Sequence, residues 1–135
     1  MKKIACVGRL VADVIVEQVE SFPEKGKLEN VNSITVHNGG NAMTASVNLR
    51  KLGVSSSLIG MVGEDMFGDF LIKRLKEEDV DVRGLSKNKS VQTSASVLMI
   101  DKTGERSFFH TVGTNAVFSE KDIDYSIIDE CDAVF

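Results

Sequence analysis

Apolar positions follow two rhythms along this chain. Lys3–Val7 and Ser55–Val62 are short runs of mostly apolar and small residues, which predict strands buried on both faces. Val11–Val19, Leu28–Val36, Thr93–Ile100 and Arg106–Val112 alternate at least in part, as half-buried strands do. A helical period takes over twice. Ala42, Ala45, Leu49 and Leu52, widened by Met43 and Val47, predict a helix that stops at Gly53. Phe67, Phe70, Leu71 and Leu75 predict a second helix over Asp65–Glu78, with Lys73, Arg74, Lys76, Glu77 and Glu78 on its polar face.

The remaining segments connect these. Phe22–Gly26 is a loop around the chain's single proline, Pro23. Val80–Val82 reads as a short strand or bend, and Ser86–Gln92 as a polar connector. Asp101–Glu105 predicts a hairpin turn, with Gly104 at the positive-φ position. Ser119–Glu130 predicts two short helical turns capped by Ser119, and Asp132–Phe135 the opening of another buried strand.

Strand, helix, strand, helix, strand over residues 3–82 is the βαβ pattern of a parallel sheet with covering helices. Two extended insertions interrupt it, at about 11–36 and 93–112. Paired together they would form a small second sheet, a lid over the end of the parallel one. The expected fold class is α/β, with residues 1–135 forming part of one domain.

Composition narrows the classes of function. At 135 residues, 42% hydrophobic and 27% charged, the chain suits a globular domain with a real core. The net charge of −4 comes from interspersed acids and bases, with no basic stripe, so nucleic acid is not an expected partner. The apolar runs are too short to span a membrane, and MKKIACVGRL lacks the long apolar core of a secretory signal. Cys6 and Cys131 have no metal or redox spacing and read as two buried thiols in a reducing cytoplasm. Two histidines, His37 and His110, suggest no metal cluster.

The candidate chemistry centres on HNGGNAMTASVNLRKLG, residues 37–53. A glycine pair before a helix lets a ligand approach the backbone, and the first N–H groups of a helix are donors. This is a floor for an anion or a hydroxyl-rich molecule, or simply a tight turn.

The flanks of that stretch make it specific. GGNAMTASVNLRKLGVSSSLIGMVGEDMFGDFLIKRLKEEDV (39–80) resembles the N-terminal signature of ribokinase-like, phosphofructokinase-B type carbohydrate kinases. VGRLVAD (7–13), TSASVLMIDKTGERSFF (93–109) and GTNAVFSEKDID (113–124) match further family segments in the expected order. The resemblance implies a mostly parallel sheet with a β-lid, and transfer of phosphate from ATP, with Mg²⁺, to a hydroxyl of a sugar, sugar derivative or nucleoside. It also implies a homodimer formed through the lid.

Residue by residue, the resemblance makes Asp13 the carboxylate that accepts substrate hydroxyls. Gly39 and Gly40 are the glycines under the sugar, and Asn41 is a binding or helix-capping residue beside them. Thr44 stands where many family members carry Asn, which leaves the ligand preference open. Ser96, Leu98, Phe108 and His110 fall at lid positions that face the substrate. Phe108 and His110 share one side of their strand. His110 reads as a donor, a stacking ring or an exposed strand histidine, and Arg106 as a solvated hairpin charge. Family members carry their base in a glycine-rich GAGD-type motif, and no such motif or Walker loop occurs here. No catalytic residue or metal ligand is therefore assigned within the chain. The expectation is the N-terminal substrate-and-lid half of a kinase, inactive by itself. The alternative is a sugar- or nucleoside-binding module without catalysis.

Overall fold

A computed structural model describes residues 2–135. The strands are β1 (Lys3–Val7), β2 (Val11–Val19), β3 (Ser33–Gly39), β4 (Ser55–Gly63), β5 (Asp81–Asn88), β6 (Ala95–Asp101), β7 (Arg106–Thr111) and β8 (Ala133–Val134). The helices are α1 (Asn41–Lys51), α2 (Met66–Glu77) and α3 (Tyr125–Asp129), with 3-10 turns at Gly113–Ala116 and Glu120–Asp122.

The strands form two sheets. The larger runs β5-β4-β1-β8 and is parallel throughout. Its inner strands, β4 and β1, are mostly apolar or small because both their faces are covered. Cys6, Leu58 and Val62 pack with Ala42, Met43 and Val47 of α1 and Leu71 and Leu75 of α2. On the opposite face Ala5 and Ile59 meet Ile127, supported by Phe118, Ile123 and Ile128. The smaller sheet runs β3-β2-β6-β7, with β2 antiparallel to β3, parallel to β6, and β6 antiparallel to β7. Its strands come from both predicted insertions. Near its base Ala12 and Ala95 join the main core beside Phe67 of α2, which anchors the small sheet to the helical layer.

Several boundaries differ from the sequence pattern. The strand expected over 80–82 continues to Asn88, so the first part of the polar connector is in fact strand. Ser86 and Lys87 alternate there beside β4, whose partners Met61 and Val62 hold them in register. The strand expected from Leu28 begins only at Ser33 and runs on to Gly39, taking in His37. Leu52, placed on the apolar stripe of α1, is the C-cap and 79% exposed. The buried stripe is Ala42, Met43, Ser46 and Val47 instead. Gly53 ends the helix at φ 79°, and Gly104 turns the hairpin at φ 87°. Cys131 is only half-buried, whereas Cys6 is fully buried, and both are free thiols. Burial, with the neighbouring Cys131, pushes the Cys6 thiol up to about 11, so it stays protonated and inert at neutral pH. No helix of the described residues is long and apolar enough to cross a membrane.

Candidate functional site

The front of the small sheet follows from register. Paired residues on adjacent strands share a face. β2 sets Asp13 opposite His37 of β3 and Ser96 of β6, and Ser96 lies opposite His110 of β7. One polar row, His37–Asp13–Ser96–His110, therefore crosses all four strands. The next row on that face, about 7 Å along the strands, is Thr35, Ile15, Leu98 and Phe108. Alternation sends Val36, Val14, Val97 and Phe109 to the back.

Within the polar row Ser96 is 9% exposed, and its Oγ lies 3.0 Å from Nδ1 of the exposed His110. Nε2 of His37 lies 2.9 Å from the Thr35 hydroxyl. Asp13 is half-buried, and among the described residues its carboxylate accepts no hydrogen bond. It lies against Gly39: a Cβ added there would overlap the carboxylate, 3.1 Å from Cγ. Any side chain at Gly39 would thus move the Asp13 carboxylate.

Gly40 links this row to the helix. It is the N-cap of α1 at φ 88°, a conformation that favours glycine. A Cβ would also press on the loop after β1, 2.8 Å from the Arg9 carbonyl carbon and 2.9 Å from Leu10 Cα. Because Gly40 takes the N-cap, Asn41 is the first helical residue rather than the cap. Its Oδ1 instead accepts from the Ala42 N–H at 3.0 Å. The Met43 N–H bonds the Arg9 carbonyl at 3.4 Å. Two donors of the helix start that were expected to be free are therefore engaged within the protein, which weakens the anion reading and leaves the hydroxyl-rich one. Thr44 is exposed on the first turn of α1. No hydrogen bond joins Asn41 or Thr44 to the Asp13 row among the described residues.

Three residues outside the sequence expectation position this face. Asn115 clamps the backbone of Leu10, its Nδ2 donating to the carbonyl at 2.9 Å and its Oδ1 accepting from the N–H at 3.4 Å. Leu10 is fully buried, so the clamp sets where β2 departs. Asp65 caps α2 by accepting from the Gly68 N–H at 2.8 Å. The same carboxylate accepts from the Thr93 N–H at 2.7 Å and hydroxyl at 2.8 Å, and Thr93 Oγ1 accepts from the Gly63 N–H at 2.8 Å. Burial alone would raise the Asp65 carboxyl, but these donors outweigh it and hold it below its ordinary value. That network fastens the segment entering β6 to the start of α2. His37 completes the polar row, and the alternation of Thr35, His37 and Gly39 is the signal that could have placed it.

The model of the pfkB family carbohydrate kinases matches residues 1–134. The chain belongs to that family. It is 34% identical over 133 residues to an uncharacterized sugar kinase of Pyrococcus horikoshii, covering 97% of this chain and 40% of the relative. It is 31% identical over 120 residues to a nucleoside kinase of Methanocaldococcus jannaschii, covering 89% and 39%. The solved structure of the P. horikoshii sugar kinase in complex with ATP superposes with a TM-score of 0.78 at 32% identity, covering 97% of this chain and 41% of that one. The chain thus spans about two fifths of the length of the relatives it matches. Within this pfkB-type chain, no group of three or more His, Cys, Asp or Glu side chains gathers as a metal site among the described residues. Neither Mg²⁺ nor a triphosphate is assigned ligands in it.

Proposed function

We propose that this chain is the substrate-and-lid portion of an ATP-dependent pfkB-type kinase that phosphorylates a hydroxyl of a sugar, sugar derivative or nucleoside. The observation that carries this reading is the Asp13 carboxylate, set against Gly39 and left without a hydrogen-bond partner among the described residues. Its two oxygens accept from neighbouring hydroxyls of a diol, and polyols are what such an acceptor selects. Ser96 and His110 extend the polar row, while the row of Ile15, Leu98 and Phe108 covers the apolar side of the ligand. Gly40 keeps the floor open at the start of α1, with Asn41 and Thr44 on its first turn. In this reading the small sheet is the lid. ATP and Mg²⁺ supply the phosphoryl group and its charge neutralisation when bound, through residues outside those described, so the 135-residue polypeptide alone gives no ADP release.

The test is sugar-dependent ADP release by the protein that carries this chain, with ATP, Mg²⁺ and a panel of sugars and nucleosides. Asp13→Ala should lower kcat/KM for the preferred substrate by about 100-fold or more, the scale of a lost charge-assisted hydrogen-bond pair. Unchanged kinetics would remove Asp13 from the site. The back of the lid exposes Ile34, Val36, Val97 and Phe109, the last 63% exposed, and there we place a homodimer contact. A purely monomeric species by sedimentation at micromolar concentration would count against it.

A further inference from the structure

Ser96 occupies an unusual place in the polar row: it lies between Asp13 on β2 and His110 on β7. It is nearly buried, whereas His110 is exposed. A serine hydroxyl has one proton to donate. No other hydrogen bond is made by Ser96 Oγ among the described residues, so the contact at 3.0 Å with His110 Nδ1 uses that proton or accepts one from the ring. Asp13 beside it supplies only acceptors and has no hydrogen-bond partner among the described residues.

The geometry points to Ser96 as a positioning residue that donates to His110 Nδ1 and so fixes the ring as its Nε2–H tautomer. Which ring nitrogen carries the proton is set by the bond the other one makes. With Nδ1 engaged as an acceptor, Nε2–H is left as a donor on the exposed side of the row. Asp13 then accepts from one ligand hydroxyl and His110 donates to another oxygen. This pairing selects a ligand with two oxygens spaced across neighbouring strands, of which at least one is a hydroxyl. The inference rests on the polyol-binding reading above, but the tautomer itself does not.

These 135 residues hold two histidines, His37 and His110. Two-bond ¹H–¹⁵N correlation spectra of the histidine-labelled protein that carries this chain, at a pH where the rings are neutral, would show each ring's pattern, with the pattern lost in His110→Gln assigned to His110. The expected result is an Nε2–H pattern for His110 in the native protein, mixed tautomers in Ser96→Ala, and restoration in Ser96→Thr. An Nδ1–H pattern in the native protein, or an unchanged ring in Ser96→Ala, would overturn the assignment. Titration with D-ribose, D-fructose and adenosine forms the second arm. Ser96→Ala should weaken the ligand that binds by about 3- to 10-fold, the effect of one hydrogen bond, and Ser96→Thr should recover it. A changed tautomer with unchanged affinity overturns the positioning role. If none of the probes binds the native protein, the polyol reading fails and the positioning role falls with it, while the tautomer result stands as a separate measurement.

Discussion

Gly39 and Asp13 form the tightest dependence in the site. Their side-chain space is shared, so the absence of a Cβ at one is what lets the carboxylate of the other lie where it does. Gly39 has no positive φ, and alanine would fit its backbone. Gly39→Ala should therefore act through the clash alone, which a turn of the Asp13 side chain relieves, destabilising the fold by about 0.5–1.5 kcal/mol, the scale of an off-rotamer side chain. In an Asp13→Ala background the same substitution should cost much less, because the overlapping carboxylate is gone. Equal costs in the two backgrounds, measured by urea unfolding, would show that the contact is not the cause.

At the scale of elements, the small sheet hangs on side-chain bonds to backbone as well as on strand pairing. Asp65 serves two elements, capping α2 and holding the buried Thr93 at the entry to β6. Asp65→Ala removes a helix cap and strands the Thr93 N–H, for an expected loss of about 2–3 kcal/mol. Amide exchange should rise first at residues 91–96, since the segment loses its tether to α2. Exchange that rose uniformly would mean that Asp65 stabilises the whole fold without holding the small sheet in particular. Sequence spacing showed α2 and the hairpin separately. Nothing in either pattern joined them, because Asp65 and Thr93 are 28 residues apart.

Across the whole molecule, a charged cluster ties the ends of the large sheet together. Lys3 of β1 reaches both Asp81 of β5 and Glu130 after α3, each at 3.2 Å. Arg83 bonds Asp81 at 2.8 Å, and Ser57 of β4 donates to it at 3.1 Å. The bond from Arg83, working against burial and helped by Lys3 and Ser57, holds the Asp81 carboxyl well below its ordinary value of 3.8. Asp65 is lowered too. Groups depressed in the folded state contribute stability above their unfolded pKa and lose it as pH falls through the folded one. Urea midpoints should hence stay flat from about pH 7 to 5 and fall steeply below about pH 4. Asp81→Asn should lower the midpoint at neutral pH and shallow the acid fall. A midpoint that keeps its acid slope in this variant would assign the slope to other carboxylates.

Local pattern by itself determined much about this protein. A continuous apolar run, a period of two and a period near 3.6 each reflect which faces of a segment are buried, and that is a property of neighbouring residues. So the parallel core, both long helices, the hairpin around Gly104 and the α/β class were legible, and motif order pointed to the kinase family. Element ends were less so: β5 outran its apolar stretch because pairing with β4, not hydrophobicity, sustains it. Only the tertiary structure decided which residues meet. Asn115 clamps Leu10 across 105 positions, Ser96 meets His110 across 14, and His37 enters the Asp13 row through the register of β3 on β2. The use of the α1 donors by Asn41 and Arg9 was hidden for the same reason. Hydrogen-bond partners are selected by where packed elements bring backbone and side chains together, and no periodicity along the chain carries that distance.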